Sequence, residues 1–139
     1  MGIGQTLGER ALITIGRVAI IPLREVCGVR SGDKGDISDL TLFADDEVTY
    51  LALLDAVTID AVRTHFGELV HGPIERYEAP NVFAIKFVLH GALGGGGPRS
   101  LRSDNLGKTL GAALLRLRVE LPDEIVAGSP RRGRRAPIV

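Results

Sequence analysis

Two glycine-rich stretches hold most of the residues whose types and spacing could do chemistry. The first is Arg30-Ser31-Gly32-Asp33-Lys34-Gly35-Asp36. Its two glycines let backbone N–H groups turn inward, Ser31 offers a hydroxyl, and Arg30 and Lys34 add positive charge, so the stretch can grip a carboxylate or a phosphate. Asp33, Asp36 and Asp39 offer oxygen ligands for Mg²⁺ or Ca²⁺, but their spacing fits no EF-hand loop and no metal is assigned. A hairpin loop made of ordinary turn formers has the same composition. The second stretch is His90-Gly91-Ala92-Leu93-Gly94-Gly95-Gly96-Gly97-Pro98-Arg99-Ser100. Four successive glycines are costly to order unless something approaches the backbone closely, and a bound ligand is one candidate. A flexible linker is the other. The run lacks the Lys-Ser/Thr of a phosphate-binding P-loop and the spacing of a dinucleotide fingerprint.

The histidines stand at 65, 71 and 90, and no pair has the spacing of a metal-binding helix. His65 and His71 read as residues near a helix end. His90 closes a strand where a glycine loop begins, a position for a general acid or base, or for a surface imidazole that merely ends the strand. Cys27, the single cysteine, reads as a small buried hydrophobe. The residues assigned to chemistry are therefore Asp33 and His90 for proton transfer. Arg30, Ser31, Gly32, Lys34, Gly35, Gly94, Gly95, Gly96, Gly97, Arg99 and Ser100 are assigned to ligand binding. No cofactor is implied.

Certain elements must position them. Val18 to Arg30 reads as a first strand running into the turn cluster of 31 to 36. Ile37 to Ala44 alternates Leu40, Leu42 and Ala44 against Asp39, Thr41 and Phe43, which predicts a second strand beside it. Asp45 or Asp46 caps a short helix through Ala56, and Thr58 caps the next, whose Ile59, Val62, Phe66 and Leu69 form an apolar stripe that Gly72-Pro73 ends. Ile74 to Glu78 is a short strand, Ala79-Pro80-Asn81 a turn, and Val82 to His90 the most strand-like segment. Phe83, Ile85, Phe87 and Leu89 share one face of it. Val82, Ala84, Lys86, Val88 and His90 share the other, which is apolar enough to suggest a covering partner. After the glycine run, Ser103 or Asp104 caps a helix bearing Leu106, Leu110, Leu114 and Leu117, with Gly107 and Gly111 as a smooth patch for close packing. Hairpins and helices in blocks predict an α+β, two-layer sandwich, a mainly antiparallel four-stranded sheet with helices on one face. A Rossmann unit is excluded.

The chain has 139 residues, 45 % of them hydrophobic, and its length suits one domain. Residues 1–17 read as a flexible arm, 18–127 as the folded domain, and 128–139 as a flexible Arg-rich tail; removal of residues 129–139 is expected to leave the melting temperature almost unchanged. The start Met1-Gly2-Ile3-Gly4-Gln5-Thr6 fits the loose myristoylation pattern, which matches many sequences by chance. Net charge is zero, but Arg131, Arg132, Arg134 and Arg135 all lie beyond the last acid, Glu124. The body before them is left acidic and is a poor partner for nucleic acid. The longest apolar run, Val18 to Leu23, is too short to span a membrane, and a lone cysteine suits a reducing cytoplasm.

The two stretches, together with Gly72-Pro73-Ile74-Glu75-Arg76-Tyr77-Glu78-Ala79-Pro80-Asn81 and Ser100-Leu101, Asp104 and Gly107-Lys108, resemble the small C-terminal domain of acyclic terpene utilisation proteins, the AtuA-like domain. The likeness runs over about residues 24–117, with Asp39 standing where that family usually has Asn. It implies a ferredoxin-like fold, either fused behind a large domain or made as a separate chain, and a link to catabolism of branched or isoprenoid acyl-CoA compounds. The expected function is thus a small subunit of an acyl-CoA-processing enzyme, binding an anionic group with its two glycine-rich loops beside a large AtuA-type partner on a separate chain. A non-catalytic assembly module for the same partner is the alternative. A homo- or hetero-oligomer is expected, joined through the face bearing Val82, Ala84 and Val88. A ferredoxin-like sheet with the first strand and the Val82 to His90 strand as central, parallel neighbours would bring both loops to one end.

Overall fold

The computed structural model describes residues 17–92 and 110–131. The expected strand from Val18 to Arg30 is two strands. β1 (Val18–Pro22) stops where Pro22 has no N–H to donate, a 3₁₀ turn over Leu23–Glu25 reverses the chain, and β2 (Cys27–Lys34) begins a different sheet. β3 (Ile37–Ala44) returns antiparallel to β2 in unbroken register from Cys27 opposite Ala44 to Lys34 opposite Ile37. Most of the first glycine-rich stretch is therefore strand. Only Gly35 and Asp36 make the turn, with Gly35 at φ +65°, the left-handed value that a two-residue hairpin favours.

Helix α1 (Glu47–Ala56) starts at Asp46, whose carboxylate accepts from the Thr49 N–H at 2.9 Å. Helix α2 (Ile59–Phe66) starts at Thr58, whose hydroxyl accepts from the Ala61 N–H at 3.0 Å. The stripe predicted for α2 is shorter than expected. Val62 and Phe66 are buried, but Gly67 at φ +56° ends the helix before Leu69, which is exposed. β4 (Ile74–Ala79) and β5 (Ala84–His90) form a second hairpin. Val82 lies in the 3₁₀ turn Pro80–Val82 that joins them, and Phe83, in the left-handed region, packs its ring 6.0 Å from that of Tyr50. A helical segment over residues 110–115, α3, precedes β6 (Arg118–Pro122) and the short α4 (Asp123–Ala127). β6 pairs with β1 in a separate two-stranded sheet, a pairing between segments 100 residues apart that local periodicity does not announce.

The main sheet is antiparallel, in the order β2-β3-β5-β4. Its buried face carries Leu40, Leu42, Ile85, Phe87 and Leu89, all at most 1 % exposed, against Leu53, Val62, Leu110 and Leu114 of the helices. At Gly111 of α3 a Cβ would make ordinary contact with Val29 and Ser31 of β2 at 3.6 Å, so the helix packs directly over that strand. His65 joins the helices to each other, its Nε2 donating to the Ala113 carbonyl at 2.6 Å. The α+β two-layer architecture matches the expectation. β2 and β5, expected as neighbours at the centre, run in the same direction but are separated by β3, which leaves β2 at the sheet's edge.

The packed chain also runs past Ala127. Ser129 is buried and its hydroxyl donates to the Glu25 carbonyl at 2.7 Å, while Arg131 makes a two-pronged pair with Asp45 at 2.7 and 3.0 Å and lays its guanidinium over Gly28. A tail beginning at 128 thus starts too early, because a polar segment docks through hydrogen bonds that an apolar pattern cannot reveal. The rest of the expected tail, 132–139, and the arm, 1–16, lie outside the described residues. Among the described residues no helix is long and apolar enough to cross a membrane.

Two outcomes follow from this packing. Ser129→Ala strips a buried carbonyl of its donor and should lower stability by about 1–3 kcal/mol in urea denaturation; removal of residues 129–139 should likewise lower the melting temperature. Burial pushes the Cys27 thiol up to about 12, so it stays protonated at neutral pH. The thiol is also 1 % exposed. Iodoacetamide should therefore leave the native protein unlabelled and modify it only once denaturant is added, as followed by mass spectrometry.

Candidate functional site

Antiparallel register fixes which side chains share a face. One row across the open face of the sheet reads Lys34, Ile37, His90; the next Gly32, Asp39, Val88, Glu75; the next Arg30, Thr41, Lys86, Tyr77. Arg30, Lys34, Lys86 and Tyr77 are exposed, and Asp39, Glu75 and His90 are half-buried. Ser31 and Asp33 belong to the opposite, helix-facing rows, with Leu40 and Ser38 as partners. Asp33 and His90, each a candidate for moving a proton, therefore belong to opposite faces of the sheet. The same parity separates Asp33 from Asp39, so the three aspartates do not converge on a common ion.

The end of the first glycine-rich stretch meets the start of the second. β2 and β5 finish at the same end of the sheet because Ile37 stands opposite both Lys34 and His90. With strands about 4.8 Å apart, Lys34 and His90 are roughly 10 Å apart at the backbone, within reach of one small molecule. A direct bond closes the junction, the Ala92 N–H donating to the Asp36 carbonyl at 2.9 Å. Gly94, Gly95, Gly96, Gly97, Arg99 and Ser100 lie outside the described residues.

His90 itself is held from two directions. The Gly72 N–H donates to its carbonyl at 2.8 Å and its own N–H to the Pro73 carbonyl at 3.1 Å. A Cβ at Gly72 would sit 2.8 Å from the His90 Cβ and carbonyl oxygen, so only glycine fits there. Gly91, at φ +68°, lies against the same segment. The imidazole Nε2 stands 2.7 Å from Glu75 Oε2, and the Tyr77 hydroxyl donates to Glu75 Oε1. These two donors, Tyr77 first and then His90, hold the Glu75 carboxyl below its usual range. Glu75 in turn keeps the Tyr77 proton in place and raises that phenol above its usual range. An ionised carboxylate only accepts, so Nε2 carries its hydrogen and Nδ1 is the ring nitrogen left over.

Glu75 and Tyr77 escape a reading that looks only inside the glycine-rich stretches. Their signal is the alternation of Glu75 and Tyr77 in a short strand hairpinned to the one that ends at His90, which sets Glu75 diagonally across from His90. Asp39 leans over Gly32, where a Cβ would lie 3.2 Å from its Oδ1. It thereby puts a negative charge between Arg30 and Lys34. The apolar patch expected over Val82, Ala84 and Val88 is not continuous. Ala84 is 3 % exposed, Val82 is in the turn, and Val88 sits between Asp39 and Glu75. A separate open cleft of about 660 Å³, lined by residues of α2 and by Arg116, Leu117 and Arg118, lies away from this end of the sheet.

In comparisons with known proteins, the family model described as the AtuA ferredoxin-like domain matches residues 21–120. No curated protein and no solved structure matches the chain.

The Glu75 geometry has a pH signature. A carboxyl held low in the folded state stabilises the fold above its ordinary unfolded value, and that contribution is lost as pH falls through the folded one. In acid denaturation the native protein should therefore lose its advantage over Glu75→Gln as pH drops below the ordinary glutamate value of 4.5. Parallel curves for the two proteins would contradict the arrangement.

Proposed function

The chain belongs to the AtuA ferredoxin-like domain family, and from that membership we propose that it is the small subunit of an enzyme that processes branched or isoprenoid acyl-CoA compounds. It works beside a large AtuA-type chain. Its part is to hold an anionic group of the substrate, a carboxylate or a CoA phosphate, at the sheet end where the two glycine-rich stretches come together. The observation that supports this reading best is the shared position of Lys34 and His90 around Ile37, closed by the bond from Ala92 to Asp36. Arg30 and Lys34 are exposed and enter no ion pair among the described residues, so their charge is free for a ligand. Gly94 to Gly97, Arg99 and Ser100 of the second stretch enter this proposal by residue type alone, since they lie outside the described residues.

Helix α1 favours a second reading, a non-catalytic assembly module for the same partner. Its sequence is apolar on nearly every side, yet Val48 and Leu51 are 62 % and 52 % exposed. A helix of that kind ordinarily has a covering neighbour.

Co-purification with the large chain, followed by calorimetry with acyl-CoAs, separates the two. Under the first reading the mixture binds acyl-CoA, and Arg30→Ala with Lys34→Ala weakens binding by roughly tenfold or more, since each charge-assisted bond contributes about 1.5–3 kcal/mol. Under the second, Leu51→Glu abolishes co-purification while the double alanine variant binds acyl-CoA as before. Equal acyl-CoA affinity for the large chain alone and for the mixture would overturn the first reading.

A further inference from the structure

Glu75 and Tyr77 give His90 an arrangement that its position in the sequence does not suggest. We propose that His90 accepts a proton at Nδ1 from a molecule bound at this sheet end, with Glu75 and Tyr77 as the positioning residues that set its tautomer and balance its charge. The inference rests on the reading of the sheet end as a ligand site and deepens it by naming the acting atom.

The geometry carries the argument in three steps. Glu75 Oε2 lies 2.7 Å from His90 Nε2, and the other oxygen accepts from Tyr77, so both oxygens of this carboxylate are engaged by donors. Such a carboxylate keeps the hydrogen on Nε2 and leaves the Nδ1 lone pair available. The His90 side chain is 30 % exposed and Glu75 42 %, so the pair is reachable from the open face without being fully hydrated. When a bound acid X–H gives its proton to Nδ1, the X–H bond breaks with its electron pair left on X and a new N–H bond forms. The imidazolium so produced stays paired with Glu75, the arrangement by which a carboxylate stabilises the charged form of a histidine base.

Other groups on the same face act on this pair from every strand. Lys86 of β5 and Lys34 of β2 oppose a positive imidazole, while Asp39 of β3 supports one. His71 precedes the Gly72 that braces the His90 backbone, and its N–H donates to the Gly91 carbonyl at 3.1 Å. Glu75 is the group in direct contact, so it governs the proton.

Nuclear magnetic resonance of the His90 ring tests this in the isolated small chain, with neither acyl-CoA nor the large partner present. Loss of acyl-CoA binding and failure of this proposal are therefore separate results. The expected spectrum of the neutral ring shows hydrogen on Nε2. Glu75→Ala should bring hydrogen on Nδ1 into the neutral ring's tautomer mixture, Glu75→Asp should keep part of the native preference for Nε2, and Tyr77→Phe should keep most of it. A native neutral ring protonated on Nδ1 would overturn the proposal, as would the same tautomer mixture in the native protein and in Glu75→Ala. Should Glu75→Ala not fold, the native tautomer and the Glu75→Asp spectrum decide the matter.

Discussion

Strand β3 pairs with β2 on one side and β5 on the other, and everything at the candidate site depends on that double register. Side chains alternate across a strand, so one pairing choice decides the face of every residue. Ile37 opposite both Lys34 and His90 puts a cation and an imidazole on the open face at one end of the sheet. The same choice sends Ser31 and Asp33 to the helix side. A slip of one residue in either pairing would exchange the two sets and expose Leu40, Leu42, Ile85 and Phe87. Burial of those four, each at most 1 % exposed, is what makes the register unambiguous.

The helix layer and the open face answer to different forces. On the buried side, α3 packs over Val29 and Ser31 at Gly111, and α2 is tied to α3 through His65. Hydrophobic packing of this kind is non-directional and tolerates many side chains. The open face is held by directional contacts instead. Glu75 accepts from Tyr77 and His90, and Gly72 and Gly91 brace the His90 backbone so closely that a methyl group at position 72 would collide with it.

Charge on that face is mixed, not uniformly basic. Asp39 lies over Gly32 between Arg30 and Lys34, and Glu75 sits beside His90. The proposed ligand would meet cations with carboxylates close by, which favours an anion that also carries a hydrogen-bond donor over a bare polyanion. The mixed pattern agrees with a body that is acidic before its Arg-rich end.

The α+β class, the alternation of β3, the caps at Asp46 and Thr58, the inward leucines and phenylalanine of β3 and β5, and the family are legible in the residues alone. These are local or period-based properties, and each residue's neighbours in the chain suffice to express them. The two glycine-rich stretches and His90 stand out in it as candidates for chemistry. Which of those residues meet is settled by the fold. The pairing of β1 with β6, the strand order with β3 between β2 and β5, the separation of Asp33 from His90, the recruitment of Glu75 and Tyr77, and the docking of Ser129 and Arg131 all join segments distant in sequence. Such contacts are selected by the collective burial of one core, so no local pattern of residues encodes them singly.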